Sequence, residues 1–229
     1  MKLENMVPWG RSKKEYMQMF NLSRDDLQRK KILGCGDGPS SFNGEASYDG
    51  ANIVSVDPLY AYSREEIMRR IDEVAEEVMV QVRANADSFV WKNIPDMESL
   101  EHIRIEAMME FLMDYEEGLE EGRYIAAKLP ELPFEDESFD LAFSSHLLFL
   151  YSEHLDEAFH KASIDEMLRV SKEVRIFPLL TLDNKPSPHL EPVIDHLRSK
   201  GYKTQVVKTD YEFQKGANEM LVVRRVEKA

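Results

Sequence analysis

The feature that most constrains the fold is a glycine-rich turn near the start of the chain. Residues 31–42 read KILGCGDGPSSF, in which an apolar run leads into Gly34, Gly36 and Gly38, each separated by one residue. Glycine reaches positive φ without strain and leaves no side chain in the way of a ligand, and the first N–H groups of a following helix would point at that ligand. The stretch therefore predicts a strand, a ligand-binding turn and a helix.

A second predicted strand, residues 52–57, ends in an acid. Asp57 lies 19 residues after Gly38, and in a doubly wound sheet an acid at this place meets the ribose hydroxyls of a bound nucleoside. The glycines lack the two-residue gap that precedes the last glycine of the dinucleotide fingerprint. The two motifs predict a nucleoside site and disfavour a dinucleotide.

Two segments carry a resemblance to a known family. Residues 33–38, LGCGDG, resemble motif I of the class I S-adenosylmethionine-dependent methyltransferases, and residues 132–141, LPFEDESFDL, resemble the segment that leads into their fourth strand. The resemblance covers about residues 31–225. It implies S-adenosylmethionine as cofactor and a doubly wound α/β fold with a seven-stranded, mostly parallel sheet whose last strand is antiparallel. A length of 229 residues suits one such domain over residues 1–229.

The resemblance and the position of the strand ends together imply a set of cofactor-binding residues, because ligands of open α/β sheets bind outside the carboxyl ends of the strands. The expected set follows the first four strands in turn: Gly34, Cys35, Gly36, Asp37, Gly38, Asp57, Pro58, Leu59, Leu129, Ser144, Ser145 and His146.

His146 is the candidate catalytic residue, since it directly follows the predicted fourth strand. The sulfonium of the cofactor supplies the leaving group in methyl transfer, so a general base helps only where the acceptor atom carries a proton. Further residues are expected on the rim of the site: Trp9, Arg11, Tyr151, His154, His189, Tyr211 and Phe213.

Two departures from the family pattern leave other functions open. Ile32 and Lys128 stand where the family often has acids that bind the cofactor, although Asp37 can compensate in part. A non-catalytic S-adenosylmethionine-binding protein is therefore one alternative. A nicotinamide-dependent oxidoreductase, which Asp57 would suit, is another.

Residues 63–122 are predicted to form a helical insertion between strands two and three. Ser63 and Glu66 form a capping box, apolar residues follow at helical spacing, and a second helix is expected from Met97 after a break at 93–96. Gly118 and Gly122 are expected to end it. The pair is predicted to cap the carboxyl edge of the sheet; the alternative is packing sideways or in a homodimer interface.

The remaining elements follow from apolar runs and turn residues. Strands are predicted at 124–127, 139–145, 174–177, 202–209 and 219–225, and helices at 155–171 and 190–199. The connection at 210–218 is too short for a crossover helix, so the last two strands should be antiparallel.

The charge of the chain is strongly negative. Forty-three acidic residues against 29 basic ones give a formal charge of −14, which opposes a nucleic-acid partner and favours a small or cationic methyl acceptor. Seventeen acids and seven bases fall between Ser63 and Arg123.

Other classes of site and location are also disfavoured. The one cysteine allows no internal disulfide, no apolar run reaches the length of a membrane span, and the six histidines are not spaced with carboxylates as metal ligands would be. We therefore expect a cytoplasmic protein without a metal or membrane partner.

Overall fold

A computed structural model describes residues 6–226, which contain a seven-stranded sheet in the order β3-β2-β1-β4-β5-β7-β6. The strands are β1 (Lys31–Cys35), β2 (Asn52–Val56), β3 (Tyr124–Ile125), β4 (Phe139–Ser145), β5 (Ser171–Phe177), β6 (Tyr202–Lys208) and β7 (Glu219–Arg225). The first five strands pair in parallel, whereas β7 runs antiparallel to both β5 and β6. The predicted fold class is confirmed.

Two strands differ from their predicted bounds by more than one residue. β3 has two residues rather than four and pairs only with Ser55 and Val56. β5 begins at Ser171, three residues earlier than expected. Its first residues pair with β4, but they are polar, so no apolar run marks them as part of the strand.

Helices cover both faces of the sheet, and alternate strand residues serve the two cores. The helices are α1 (Lys13–Met19), α2 (Arg24–Arg29), α3 (Phe42–Tyr48), α4 (Arg64–Ala84), α5 (Met97–Glu120), α6 (Glu157–Val170) and α7 (Leu190–Ser199). Leu33 and Ala142 pack with α6 and α7, whereas their neighbours Ile32 and Leu141 pack with α1 and α3. Burial on both faces explains why these strands read as continuous apolar runs.

The insertion consists of α4 and α5, and its first helix begins as predicted. The side chain of Ser63 accepts a hydrogen bond from the backbone of Glu66, whose carboxylate accepts one from the backbone of Ser63. Two predicted bounds are wrong. α4 ends at Ala84, well before the expected break at 93–96. Gly118 lies within α5 rather than at its end. A Cβ at this position would be 2.3 Å from the ring of Tyr124, so glycine is needed here for α5 to pack closely against that ring.

α5 is tied to the body of the domain by two ion pairs. Arg104 of α5 makes a buried bidentate pair with Glu15 of α1, at 2.7 Å for both contacts. Nearer the C-terminal end of α5, Asp114 accepts two hydrogen bonds from Arg123, at 2.7 and 2.8 Å. Arg123 is the residue just before β3. α5 also packs against α3 and α4. The second helix therefore lies beside the sheet's helical layer, and the first faces the carboxyl ends of the strands.

Candidate functional site

A cavity of about 770 Å³ opens at the carboxyl ends of the first four strands. Its floor consists of the glycine turn after β1 and the residues that follow β2, β3 and β4. One wall is formed by α4, through Ile67, Arg69, Arg70 and other residues, and another by the N-terminal segment 6–11. The topological switch between β1 and β4 thus lies beneath the cavity, where open α/β sheets bind ligands.

The glycine turn has the backbone conformation that its sequence demands. Gly36 and Gly38 have φ values of +73° and +54°. A Cβ on residue 36 would lie 2.5 Å from a methyl group of Leu147, whereas nothing lies within 4 Å of the Cβ position of Gly38. The turn is therefore packed on one side and open to a ligand at Gly38.

Asp57 closes this turn onto β2. Its Oδ2 accepts a hydrogen bond from the backbone N–H of Gly38 at 2.9 Å, and its Oδ1 accepts one from Leu59 at 2.8 Å. Burial raises the pKa of Asp57, against the effect of these two bonds. Each carboxylate oxygen keeps a second lone pair, so Asp57 can still accept hydrogen bonds from two hydroxyls.

Asp37 has a different environment from the one expected. Its carboxyl is buried and accepts hydrogen bonds from Tyr16 at 3.1 Å and from Ser55 at 2.6 Å. A Cβ on residue 34 would lie 1.8 Å from Oδ2 of Asp37, so the first glycine of the motif makes room for this side chain. Burial raises the pKa of Asp37 to about 7, although the two hydrogen bonds act in the opposite direction.

His146 lies at the cavity immediately after β4. Its φ is +55°, a left-handed conformation, and its N–H donates to the carbonyl of Phe177 at 2.7 Å. Nδ1 is 2.9 Å from Oγ of Ser145. Burial, together with the charges of Arg11 and Arg104, lowers the pKa of His146 well below its usual range. The imidazole is therefore neutral at physiological pH and can accept a proton.

Arg11 and a buried network behind it complete the site. Arg11 lines the cavity, and its Nη1 donates to the carbonyl of Trp9 at 3.0 Å. Nearby, Glu15 accepts hydrogen bonds from Arg104 and, at 3.0 Å, from the hydroxyl of Tyr211. Burial alone would raise the pKa of Glu15, but the ion pair with Arg104 outweighs it and lowers that pKa to about 2.

The cavity brings together most of the residues predicted from sequence. Its lining includes Gly36, Asp37, Gly38, Asp57, Pro58, Leu59, Leu129, Ser145 and His146. Gly34, Cys35 and Ser144 do not line it, since all three lie buried within β1 or β4. Burial also raises the pKa of the Cys35 thiol well above its usual value.

The predicted rim residues divide into two groups. Trp9, Arg11 and Tyr151 line the cavity, whereas His154, His189, Tyr211 and Phe213 do not. Leu147 and Leu150 also line the cavity, in a turn after β4 where His146 and Phe149 have positive φ.

The sequence reasoning missed the pairing of Glu15 with Arg104. A signal was present, because Arg104 falls on the same helical stripe as the buried residues Leu100, Ala107 and Phe111. A basic residue on an apolar stripe requires an acid from elsewhere. The partner is 89 residues away, and helical spacing gives no information about contacts at that separation.

Comparisons with known proteins identify the family. A family model described as a methyltransferase domain matches residues 99–173, from α5 to β5. MJ0045 of Methanocaldococcus jannaschii, an uncharacterised protein, is 36% identical over 224 residues, which cover 97% of this chain and 98% of the relative. The chain belongs to the family of that protein. With its motifs, its sheet and the matched domain, it is a member of the class I S-adenosylmethionine-dependent methyltransferases, and the domain implies S-adenosylmethionine as cofactor.

Solved structures give more distant likenesses. Magnesium protoporphyrin IX methyltransferase from Synechocystis, crystallised with bound S-adenosylhomocysteine, is 14% identical; the alignment covers 92% of this chain and 80% of that one, with a TM-score of 0.48. A putative methyltransferase from Methanococcus maripaludis is 10% identical over 95% and 84% of the two chains, also with a TM-score of 0.48. At these values neither likeness bears on the substrate.

Proposed function

We propose that this protein transfers a methyl group from S-adenosylmethionine to a small molecule held in the same cavity. The observation that carries the proposal is the convergence of the open glycine turn, Asp57 and a neutral His146 on one cavity of about 770 Å³. Cavities of roughly 300–1,000 Å³ are the size range of small-molecule sites. The volume supports a site for a cofactor and a small acceptor.

The residues present suit the cofactor. Gly38 leaves open space above its backbone, and the free lone pairs of Asp57 suit the two ribose hydroxyls. Leu59 and Leu129 line the same end of the cavity and provide apolar contact for a base. The bound cofactor would supply an electrophilic methyl group on a sulfonium.

His146 is the proposed general base. Oγ of Ser145 lies 3.8 Å from the sulfur of Met19, to which it donates. In the tautomer with the proton on Nδ1, Oγ accepts from Nδ1–H of His146, and Nε2 carries the lone pair that would take a proton from an acceptor hydroxyl or amine. The lowered pKa of His146 keeps this nitrogen unprotonated.

The insertion is proposed to exclude water from the reaction. α4 lines the cavity directly, and Val7 and Trp9 of the N-terminal segment pack beside it on a cluster that includes Val78. A wall formed by a helix and an N-terminal segment can open to admit substrate and close during transfer. We expect hydrogen exchange in α4 to slow when cofactor product and acceptor are both bound, and unchanged exchange there would contradict this role.

Isothermal titration calorimetry tests the cofactor assignment. S-adenosylhomocysteine should bind the wild-type protein, and nicotinamide dinucleotides should not. Asp57→Asn should weaken that binding about tenfold to a hundredfold, because a carboxylate that accepts hydrogen bonds is replaced by a neutral amide. Asp72→Asn, an exposed substitution on α4, is the matched control and should leave affinity unchanged. Preference for a nicotinamide dinucleotide would overturn the proposal.

His146→Asn separates catalysis from binding. The asparagine keeps polarity and approximate size but cannot act as a base near neutral pH. We expect S-adenosylhomocysteine affinity within about twofold of wild type and methyl transfer slowed by about a hundredfold or more. Equal losses of affinity and turnover would assign His146 to binding instead.

A further inference from the structure

Arg11 is a guanidinium at the cavity without an anionic partner. Among residues 6–226 it forms no ion pair, and its buried Nε has no hydrogen-bond partner. Nη1 is used by the carbonyl of Trp9. Nε and Nη2 together form a different edge of the planar guanidinium. That edge remains free to donate two parallel hydrogen bonds.

The acid closest to Arg11 along the chain is already committed. Glu15 accepts from both terminal nitrogens of Arg104, from Tyr211 and from Ser12. Its single negative charge is therefore matched by the single positive charge of Arg104. Arg11 contributes a further positive charge to the same buried region.

Asp57, Glu66 and Glu73 line the same cavity, as do the cations Arg69, Arg70 and Lys128, but among residues 6–226 none of these acids forms a hydrogen bond or ion pair with Arg11. The neighbouring His146 is neutral, and Arg11 itself is one cause of the lowered pKa of that histidine. Asp37 is held by Tyr16 and Ser55, and its pKa of about 7 leaves it only partly ionised near neutral pH. Arg11 therefore lacks the anionic partner that a buried charge normally has.

We propose that the methyl acceptor carries a carboxylate, which binds the Nε and Nη2 edge of Arg11. The inference rests on the proposed function, whose acceptor it specifies. A carboxylate supplies one negative charge and two oxygen atoms in the geometry of the guanidinium fork. The proposed acceptor is small, as expected, but anionic rather than cationic, since a cation could not pair with Arg11.

The charge balance also favours the acceptor over the cofactor as the source of this carboxylate. The methionine end of S-adenosylmethionine carries an ammonium beside its carboxylate, and the sulfonium adds another positive charge. Bound cofactor therefore brings a net positive charge into the cavity, which a carboxylate on the acceptor would offset. Apolar and aromatic side chains near Arg11, among them Val7, Trp9, Leu150 and Tyr151, line the same part of the cavity. They suit an acceptor with an apolar body.

Matched pairs of acids and amides test the proposal directly. The probes are benzoate with benzamide and indole-3-acetate with indole-3-acetamide, titrated by ligand-observed NMR in the presence of S-adenosylhomocysteine. In each pair the two molecules differ in charge but hardly in shape. The wild-type protein should bind the acid about tenfold more tightly than the amide.

Substitutions at Arg11 assign that preference. Arg11→Gln should reduce it to about twofold or less, and Arg11→Lys should retain part of it, because the charge remains while the fork is lost. Lys14→Gln removes an exposed cation three residues along the chain and should leave the preference intact. Absence of an acid preference in the wild type, or its survival in Arg11→Gln, would overturn the inference.

A second titration separates the two sources of a carboxylate. S-adenosylhomocysteine has the amino-acid end, and 5′-methylthioadenosine lacks it. Arg11→Gln should change the affinity for both by a similar small factor. Selective loss of S-adenosylhomocysteine would assign Arg11 to the cofactor and overturn the proposal. If the wild type bound neither compound, the proposed function would fail, and the acid and amide titration of the free protein would still decide the role of Arg11.

Discussion

Asp37 should make the protein less stable as pH rises from about 4 to about 7, and Asp37→Asn should remove that dependence. The reason is the burial of its carboxyl, which is 7% exposed and whose pKa is raised to about 7 from an ordinary value of 3.8. Between these two pKa values the unfolded chain releases a proton that the folded chain keeps. The unfolded state binds fewer protons, so the free energy of unfolding falls with increasing pH.

The magnitude follows from the two pKa values. A shift of about three pKa units corresponds to roughly 4 kcal/mol over the full titration, at about 1.4 kcal/mol per unit. Integrated between about pH 5 and about pH 8, the loss is about 2.6 kcal/mol, because part of the titration lies below pH 5. The negative charge of the nearby Asp57 acts in the same direction as burial and also raises the pKa of Asp37.

Urea unfolding at the two pH values, followed by circular dichroism, measures this effect. Wild type should lose about 2–3 kcal/mol more between them than Asp37→Asn does. Asp72→Asn, an exposed acid substitution on α4, should follow the wild type. The same loss in wild type and Asp37→Asn would refute the reasoning, since the pH dependence would then come from other groups.

Three further predictions concern residues in or beside the site. Gly36→Ala should destabilise the fold by about 1–3 kcal/mol and abolish S-adenosylhomocysteine binding in calorimetry; Gly50→Ala, equally strained at φ +87° but free of contacts, should retain binding. Arg104→Met should lower the unfolding free energy by about 3–5 kcal/mol because it leaves the buried carboxylate of Glu15 unpaired. The exposed Arg29→Met should lower it by less than about 1 kcal/mol. Equal effects of the two substitutions would contradict burial of the Arg104–Glu15 pair. The Cys35 thiol should react with Ellman's reagent only at the rate of unfolding, and rapid labelling of the native protein would contradict its position.

The fold was predictable where local chemistry and the global arrangement demand the same residues. Strands covered on both faces must be largely apolar, and residues 32–35 of β1 and 141–143 of β4 are. The start of α4 was readable because a capping box satisfies backbone groups with side chains only three residues apart. These signals are local, so a sequence alone contains them.

The errors arise where a residue serves a distant contact. Gly118 has the usual chemistry of a helix end, yet it serves the approach of α5 to Tyr124. Arg104 belongs to a helix rich in charged residues, yet it is 1% exposed because Glu15 lies opposite. Helical periodicity indicates that Arg104 is buried, but it identifies the contact partner of neither residue. The ends of elements and the partners of buried charges were for this reason the least predictable features.

The net charge of the chain and the unpaired Arg11 favour acceptors of opposite charge, for a related physical cause. The chain carries a formal charge of −14, but most acids of the insertion, such as Glu76 and Glu117, are exposed on α4 and α5. Water and salt screen such charges over about 8–10 Å, so they contribute little inside an enclosed cavity. Arg11 lines that cavity without an ion-pair partner among residues 6–226, and its charge is opposite in sign to that of the whole chain. The ligand that a buried site selects depends on the groups that line it, and the carboxylate proposed for the acceptor follows from this one unpaired guanidinium.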